Sequence, residues 1–417
     1  MGQVAWLDAA GAALTGRNLD DVCAIDRGSL PLGKGSFGTV WRAQLRGDKG
    51  GDVAVKAVNK WILKQRKIPL SRILVEVELM RECNGRQNIV QLIDFLDTGP
   101  MYYLILEFCN GGTLESVAKE CKDFIGENQA VQLIGQMLQA IDYLHEQDIC
   151  HRDVKPENAM IVWDKGPLKE DQMTGACMAK FGQSRSSAGR AHVKLGDFGL
   201  AVRLRQGKLL SDKVGSPAFM APEMHLLPKK SSGYDHKVDV WALGVVMVFL
   251  LSHEYPFVDA SRRLIRQHLL SGELRLWETD VLHSLMRRAQ EVVGMRAKRP
   301  SKAGLDLARR LLMPRSAHRL TTKEALEHSW FKLQGPEADG TDFDSHMPLH
   351  LQKEYTLMHL ATGDEEFIDD YMYRNTAEAS AIEQTMSPQT QVGFGCCKCT
   401  NRLSSIAGTS GNIPEEI

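Results

Sequence analysis

Residues 151–158 read His-Arg-Asp-Val-Lys-Pro-Glu-Asn, and Asp197-Phe198-Gly199 follows downstream. An Asp and an Asn five positions apart on one loop can divide the work of a group transfer. Asp153 can accept a hydrogen bond from an attacking hydroxyl, and Asn158 can hold a divalent cation. Asp197 adds a second oxygen ligand for that cation. A string this long is poorly explained as a polar loop between two elements.

Other parts precede it in order. Gly33-Lys34-Gly35-Ser36-Phe37-Gly38-Thr39-Val40 carries three glycines, which let two strands turn tightly and bring backbone N–H groups close to phosphate oxygens. Val53-Ala54-Val55-Lys56 then alternates as a strand and ends on a lysine that can reach phosphate. Such a lysine needs a carboxylate to orient it. Ser71 to Met80 reads as an amphipathic helix, with Ile73, Leu74, Val77 and Met80 on its apolar side and both Glu76 and Glu78 available. Glu76 fits the spacing to Asn88-Ile89-Val90-Gln91-Leu92 better; Glu78 is the alternative.

In this order the motifs resemble those of the eukaryotic protein kinases, over residues 27–331. Three further strings strengthen the resemblance: Ala221-Pro222-Glu223, Asp239-Val240-Trp241-Ala242-Leu243-Gly244, and the segment from His318 to Phe331, whose Arg319 would pair with Glu223. The resemblance implies an α+β bilobal fold, with a small five-stranded β lobe bearing one helix and a larger, mainly α-helical lobe. The small lobe and hinge would span 27–109 and the large lobe 110–331. Residues 1–26 would be an N-terminal extension, and 332–417 a tail, partly disordered or regulatory.

It also implies ATP and Mg²⁺ as cofactors. Leu32, Gly33, Gly35, Ser36, Phe37, Gly38, Val40 and Ala54 would enclose the nucleotide. Leu106 would be the gatekeeper, the backbones of Glu107 and Cys109 would meet the adenine edge, and Lys56 would reach the α- and β-phosphates. Asn158 and Asp197 would be the metal ligands, and Asp153 would orient the acceptor hydroxyl and take its proton. Lys155 would stabilise charge on the transferred group, with Ser216 bridging Asp153 and Lys155. A Lys two residues after the catalytic Asp, together with Gly215-Ser216-Pro217-Ala218-Phe219, marks the Ser/Thr type. The core is nearest to the calcium/calmodulin-dependent-type branch, chiefly in Phe219 to Glu223 and Leu326 to Phe331. A pseudokinase-like scaffold that binds partners without turnover is the alternative; it has no need of Lys56, Asp153, Asn158 and Asp197 together.

The resemblance also bears on partners. Protein substrates are expected. Thr113 stands after Gly111-Gly112 where many basic-directed kinases carry Glu, whereas Glu157, also near the nucleotide, matches another such contact. Arg152 would face a phosphorylated activation segment, with Ser211 as the residue for an upstream kinase; equally, Ser211 is merely exposed and Arg152 is satisfied by other groups.

Composition agrees. The chain has 417 residues, 43% of them hydrophobic, enough for one large or two moderate cores. A net charge of −1 gives no general argument for nucleic acid or an acidic membrane. Nine cysteines without paired spacing in the central region point to reduced thiols, hence a cytoplasmic or nuclear setting. Cys396-Cys397-Lys398-Cys399 lacks a fourth metal ligand nearby but could be S-palmitoylated; Met1-Gly2 is followed by Trp6 where the myristoylation pattern wants Ser or Thr, so membrane association has weak support only.

Two insertions break the pattern. Residues 163–192 read as a solvated excursion from a hairpin, its Ser184–Ser187 run included. Residues 275–300 carry Arg287, Arg288, Arg296, Lys298 and Arg299, read as a solvated basic face. In the tail, Leu351 to Leu360 has roughly helical apolar spacing, which suits either a regulatory docking helix or a disordered tail with incidental apolar residues.

Overall fold

The computed structural model describes residues 17–332, except 27, 29, 36, 37, 48, 49, 121–124, 165–190, 260, 273 and 275–299. Ser36 and Phe37, nearly all of both insertions, and the tail with its apolar segment and cysteine cluster lie outside the described residues.

The small lobe is built on an antiparallel sheet in the order β1-β3-β4-β6-β5, with the two-residue β2 appended to β3. The strands are β1 (Cys23–Ile25), β2 (Gly33–Lys34), β3 (Gly38–Leu45), β4 (Asp52–Asn59), β5 (Leu92–Asp97) and β6 (Met101–Glu107). The sheet therefore begins upstream of the boundary expected at residue 27. Cys23 is fully buried with Ala43, Val53, Val55, Leu96 and Ile105, so the three-residue β1 belongs to the lobe; so short a strand leaves no alternation to read. It is preceded by α1 (Leu19–Val22).

Central β4 shows why the lysine points where it does. Val53 and Val55 are buried against one side of the sheet, so Ala54 and Lys56 fall on the other. Register places Val40 opposite Lys56 on one side and Ala54 opposite Leu106 on the other. Two helices follow: α2 (Lys60–Gln65), capped by Asn59, whose side chain accepts the N–H groups of Trp61 and Ile62, and α3 (Ser71–Glu82). On α3, Ile73, Val77, Leu79 and Met80 are buried, as is Glu76, while Glu78 is exposed.

The large lobe is helical. It contains α4 (Leu114–Glu120), α5 (Glu127–Glu146), α6 (Pro222–His225), α7 (Lys237–Ser252), α8 (Arg266–Ser271), α9 (Lys302–Leu311) and α10 (Thr322–Leu326). α7 is its axis: every residue from Val238 to Leu251 is buried, as a helix apolar all round must be. The large lobe also carries two two-stranded antiparallel sheets. β7 (Ile149–Cys150) pairs with β10 (Val202–Arg203), and β8 (Ala159–Trp163) pairs with β9 (Ala191–Leu195). Residues 165–190 thus join two paired strands. Between these strands run the loop bearing Asp153 and the turn bearing Asp197. Among the described residues no helix is long and apolar enough to cross a membrane.

Candidate active site

Lys56 meets two carboxylates. Its Nζ lies 2.6 Å from Glu76 Oε1 and 2.8 Å from Asp197 Oδ1. Burial works against the ammonium charge, but Glu76 and then Asp197 outweigh it and hold Lys56 above its usual range. The Lys56 charge in turn holds Asp197 down at about 2, against the effect of burial. Of the two glutamates on α3 the geometry selects Glu76.

Asp153 is 8% exposed and its carboxylate is held on both oxygens. Oδ1 accepts from Ser216 Oγ at 3.0 Å and Ser216 N at 3.2 Å. Oδ2 accepts from Asn158 Nδ2 at 2.9 Å and lies 2.7 Å from Lys155 Nζ. Lys155 also donates to Ser216 Oγ at 2.9 Å, so Ser216 does sit between the two residues. Gly215 permits this approach: its φ is +106°, and a Cβ there would stand 2.6 Å from the Arg152 carbonyl oxygen.

The loop carrying Asp153 is anchored from below. Asp239 of α7, 1% exposed, accepts the backbone N–H groups of His151 and Arg152 at 2.8 Å each, and His145 Nε2 lies 3.0 Å from Oδ2. Burial pushes the Asp239 carboxyl up, but His145, His151 and the N–H donors win and keep it below the ordinary range. Arg152 and Asp197 both take left-handed backbone (φ 65° and 57°), a costly conformation for Arg that this clamp offsets. His151 packs edge-on against Phe198, centroids 5.2 Å apart.

The remaining predicted residues line the cleft roof and hinge. Gly35 N donates to Gly38 O at 2.9 Å. Leu32 is half-exposed, and Val40, Ala54 and Leu106 are partly buried. The Glu107 side chain is turned to Lys194 Nζ, 3.0 Å away. Cys109 follows without regular structure; burial pushes its thiol up to about 12. Glu157 has a buried Oε2 without a hydrogen-bond partner, and burial raises its pKa.

Residues 29–331 fit the family model for the protein kinase domain. The chain belongs to the protein kinase family. It is 31% identical over 309 residues to calcium-dependent protein kinase 4 of Plasmodium berghei, covering 74% of this chain and 49% of that protein. It is 30% identical over 302 residues to serine/threonine-protein kinase 33 of Mus musculus, 72% of this chain and 53% of the relative. To MAP kinase-interacting serine/threonine-protein kinase 1 of Xenopus tropicalis it is 28% identical over 314 residues, 73% and 68%. The chain spans about half the length of the first two of these kinases.

Sequence reasoning passed over three groups that this kinase fold brings to the site. In the sequence Asp239 belongs to a helix motif, and a lone acid opening an apolar run is the available sign that it anchors the loop. Arg72, one turn before Glu76, donates Nε–H to Gly199 O at 2.8 Å. The Tyr234 hydroxyl lies 3.3 Å from Arg152 Nη1.

Proposed function

We propose that the chain is an ATP-dependent protein serine/threonine kinase that transfers the γ-phosphoryl group of Mg-ATP to Ser or Thr hydroxyls of protein substrates. The observation that carries this reading is the convergence on one cleft of the Lys56–Glu76–Asp197 triad and the Asp153–Asn158–Lys155–Ser216 cluster.

The donor set suits Mg²⁺. The Asn158 amide nitrogen is committed to Asp153, donating to its backbone O as well at 2.9 Å, so the carbonyl oxygen is what Asn158 can offer a cation. The Asp197 carboxylate is 47% exposed and ionised. Both are hard oxygen ligands. Among the described residues no group of three His, Cys, Asp or Glu could hold a metal by itself, which fits an ion completed by nucleotide oxygens. When bound, Mg-ATP supplies the phosphoryl group and the cation that neutralises its charge.

The side chains do the rest. Asp153, fixed on both oxygens, orients the acceptor hydroxyl and takes its proton. Lys155 and Lys56 place positive charge along the path of the phosphoryl group. Glu76 keeps Lys56 extended toward the nucleotide.

Two finer readings concern partners. The unpartnered Glu157 oxygen supports substrates with a basic residue near the acceptor. Ser211 is the residue on which an upstream kinase would act, and its phosphate would lie on the Arg152 side of the site.

The test is transfer of radiolabel from ATP to a peptide panel, with acid hydrolysis of the product. Phosphoserine or phosphothreonine is expected. Predominant phosphotyrosine, or nucleotide binding without transfer, would overturn the reading.

A further inference from the structure

Charge is divided around Asp153. The flank toward α4 is acidic. Glu157, further along the loop of Asp153, keeps a buried Oε2 without a partner. Helix α4, which carries Glu115, packs on residues 156–158. Burial raises the Glu157 pKa, and the Glu115 charge acts in the same direction. Tyr255 senses both acids: burial first, then Glu157 and Glu115, hold its hydroxyl above the ordinary range.

The flank toward α6 and α8 is basic. Ser216, whose backbone N–H and hydroxyl both reach Asp153, leads directly into Pro217. The Pro217 carbonyl oxygen lies 3.0 Å from His225 Nε2 on α6. The His225 carbonyl oxygen in turn accepts from Lys213 Nζ at 3.5 Å, and Lys213 stands in the activation segment just before Ser216. Arg266, the first residue of α8, completes the cluster. After burial, it is the Arg266 charge that pushes Lys213 down. Lys213 and Arg266 both act with burial to push His225 down. Three basic residues on three elements thus converge beside the Ser216–Pro217 stretch, and the field there is positive. Arg266 is partly exposed and makes no ion pair among the described residues. An aromatic cluster joins the two flanks: Tyr255 lies edge-on to Phe219, centroids 5.5 Å apart, and stacks on Phe249 at 4.7 Å.

We propose that Lys213 and Arg266 form a subsite for an anionic side chain of the protein substrate, on the opposite flank of the acceptor from the basic residue that Glu157 favours. The proposal rests on the kinase reading above. A carboxylate and a phosphate share the chemistry required, since each accepts charge-assisted hydrogen bonds from an ammonium and a guanidinium. His225 has a supporting part: it stays neutral and holds Lys213 through its carbonyl oxygen. The substrate is therefore bipolar about its Ser or Thr. A peptide basic on both sides is repelled at Lys213 and Arg266, and this repulsion selects against it as much as the attraction selects for the bipolar one.

The experiment uses the full chain and a set of peptides with a single Ser acceptor, in which Asp, phosphoserine, Lys or Arg replaces Ala at each neighbouring position in turn. Asp should raise kcat/KM about 3- to 30-fold over Ala at a position on one side of the acceptor, and Lys should lower it there. Arg should help only on the other side. Phosphoserine should do at least as well as Asp at the acidic position; a gain with phosphoserine alone would identify the anion as a phosphate. Arg266→Glu should reverse the preference, so that Lys outperforms Asp at that position. A structural role for Arg266 would instead lower all peptides alike, and that result would overturn the proposal. Lys213→Met, with its fold checked by circular dichroism, should shrink the advantage of Asp over Ala. Equal rates for Ala, Asp and phosphoserine at every position, in an enzyme that phosphorylates the set, would overturn the subsite and leave the kinase reading standing. An enzyme that binds Mg-ATP and phosphorylates no peptide would bring down the kinase reading, and this proposal with it.

Discussion

Arg319 sets its two terminal nitrogens on the two oxygens of Glu223, at 2.8 and 3.0 Å, from a side chain with no exposed surface. Its other hydrogens go to the carbonyl oxygens of Met313, Pro314 and Lys237, and its guanidinium lies 5.1 Å from the Trp241 ring. The pair fastens the end of the activation segment to the helical core. Arg319→Ala would leave Glu223 without its partner, at a cost of about 3–5 kcal/mol. Thermal unfolding should show a drop of several degrees, with Arg319→Lys recovering only part because an ammonium cannot form the fork. An unchanged Tm in the Ala variant would remove the pair from the structural argument.

The two acids of the site should separate in kinetics. Under the proposed function Asp153→Asn would remove the proton acceptor but leave the nucleotide contacts, so kcat should fall about 10²–10⁴-fold while Mg-ATP still binds. Asp197→Asn removes one of the two carboxylates on Lys56 and, under the proposed function, a metal ligand, so both Mg-ATP affinity and turnover should fall. Titration with Mg²⁺ at fixed ATP distinguishes them. Undiminished transfer by the Asp197 variant would sink its assignment.

What could be read from the chain was what depends on local pattern. Strand alternation put Ala54 and Lys56 on one face, and the apolar spacing of Ser71 to Met80 announced a helix with Glu76 on it. The Asp153–Asn158 spacing placed both side chains on one short loop. Contacts that depend on tertiary approach were not legible. Nothing around Arg72 says that the carbonyl of Gly199, 127 positions away, will come to its Nε. The pairing of His145 with Asp239 spans 94 positions, and the Leu210–Tyr234 bridge forms between segments with no strand signature. Cys23–Ile25 is too short to show a period, and only the apolar cluster around Cys23 reveals it as a strand.

Gly215 offers a test of how closely the activation segment must approach the catalytic loop. Gly215→Ala demands both a positive φ of 106° and a Cβ 2.6 Å from the Arg152 carbonyl oxygen, 3.9 Å from Asp153 Oδ1. Backbone in the way cannot rotate aside as a side chain can, so the segment must retreat and carry Ser216 with it. The Ser216 bonds to Asp153 and Lys155 would lengthen or break. A misplacement of this size can cost about 10²-fold in turnover. The expected result is a large loss of kcat with the protein folded by circular dichroism. Normal turnover would mean that the Ser216 contact is dispensable.

His225 should make the fold acid-labile. Its Nε2 lies 3.0 Å from the Pro217 carbonyl oxygen, which favours a proton there. Burial opposes that charge most, Lys213 and Arg266 add to the opposition, and the pKa falls from 6.5 to about 4. In the folded state His225 thus stays neutral as pH drops through 6, while in the unfolded chain it takes up a proton. The unfolded state binds more protons across this window, so stability falls as pH drops from about 6.5 toward 4. The full effect is bounded at about 3 kcal/mol. His225→Gln keeps an N–H donor for Pro217 O but removes the titration. Its Tm should therefore decline less than that of wild type between pH 6.5 and 4.5, with little difference at pH 8. Parallel Tm curves for the two proteins would show that another group governs the acid limb.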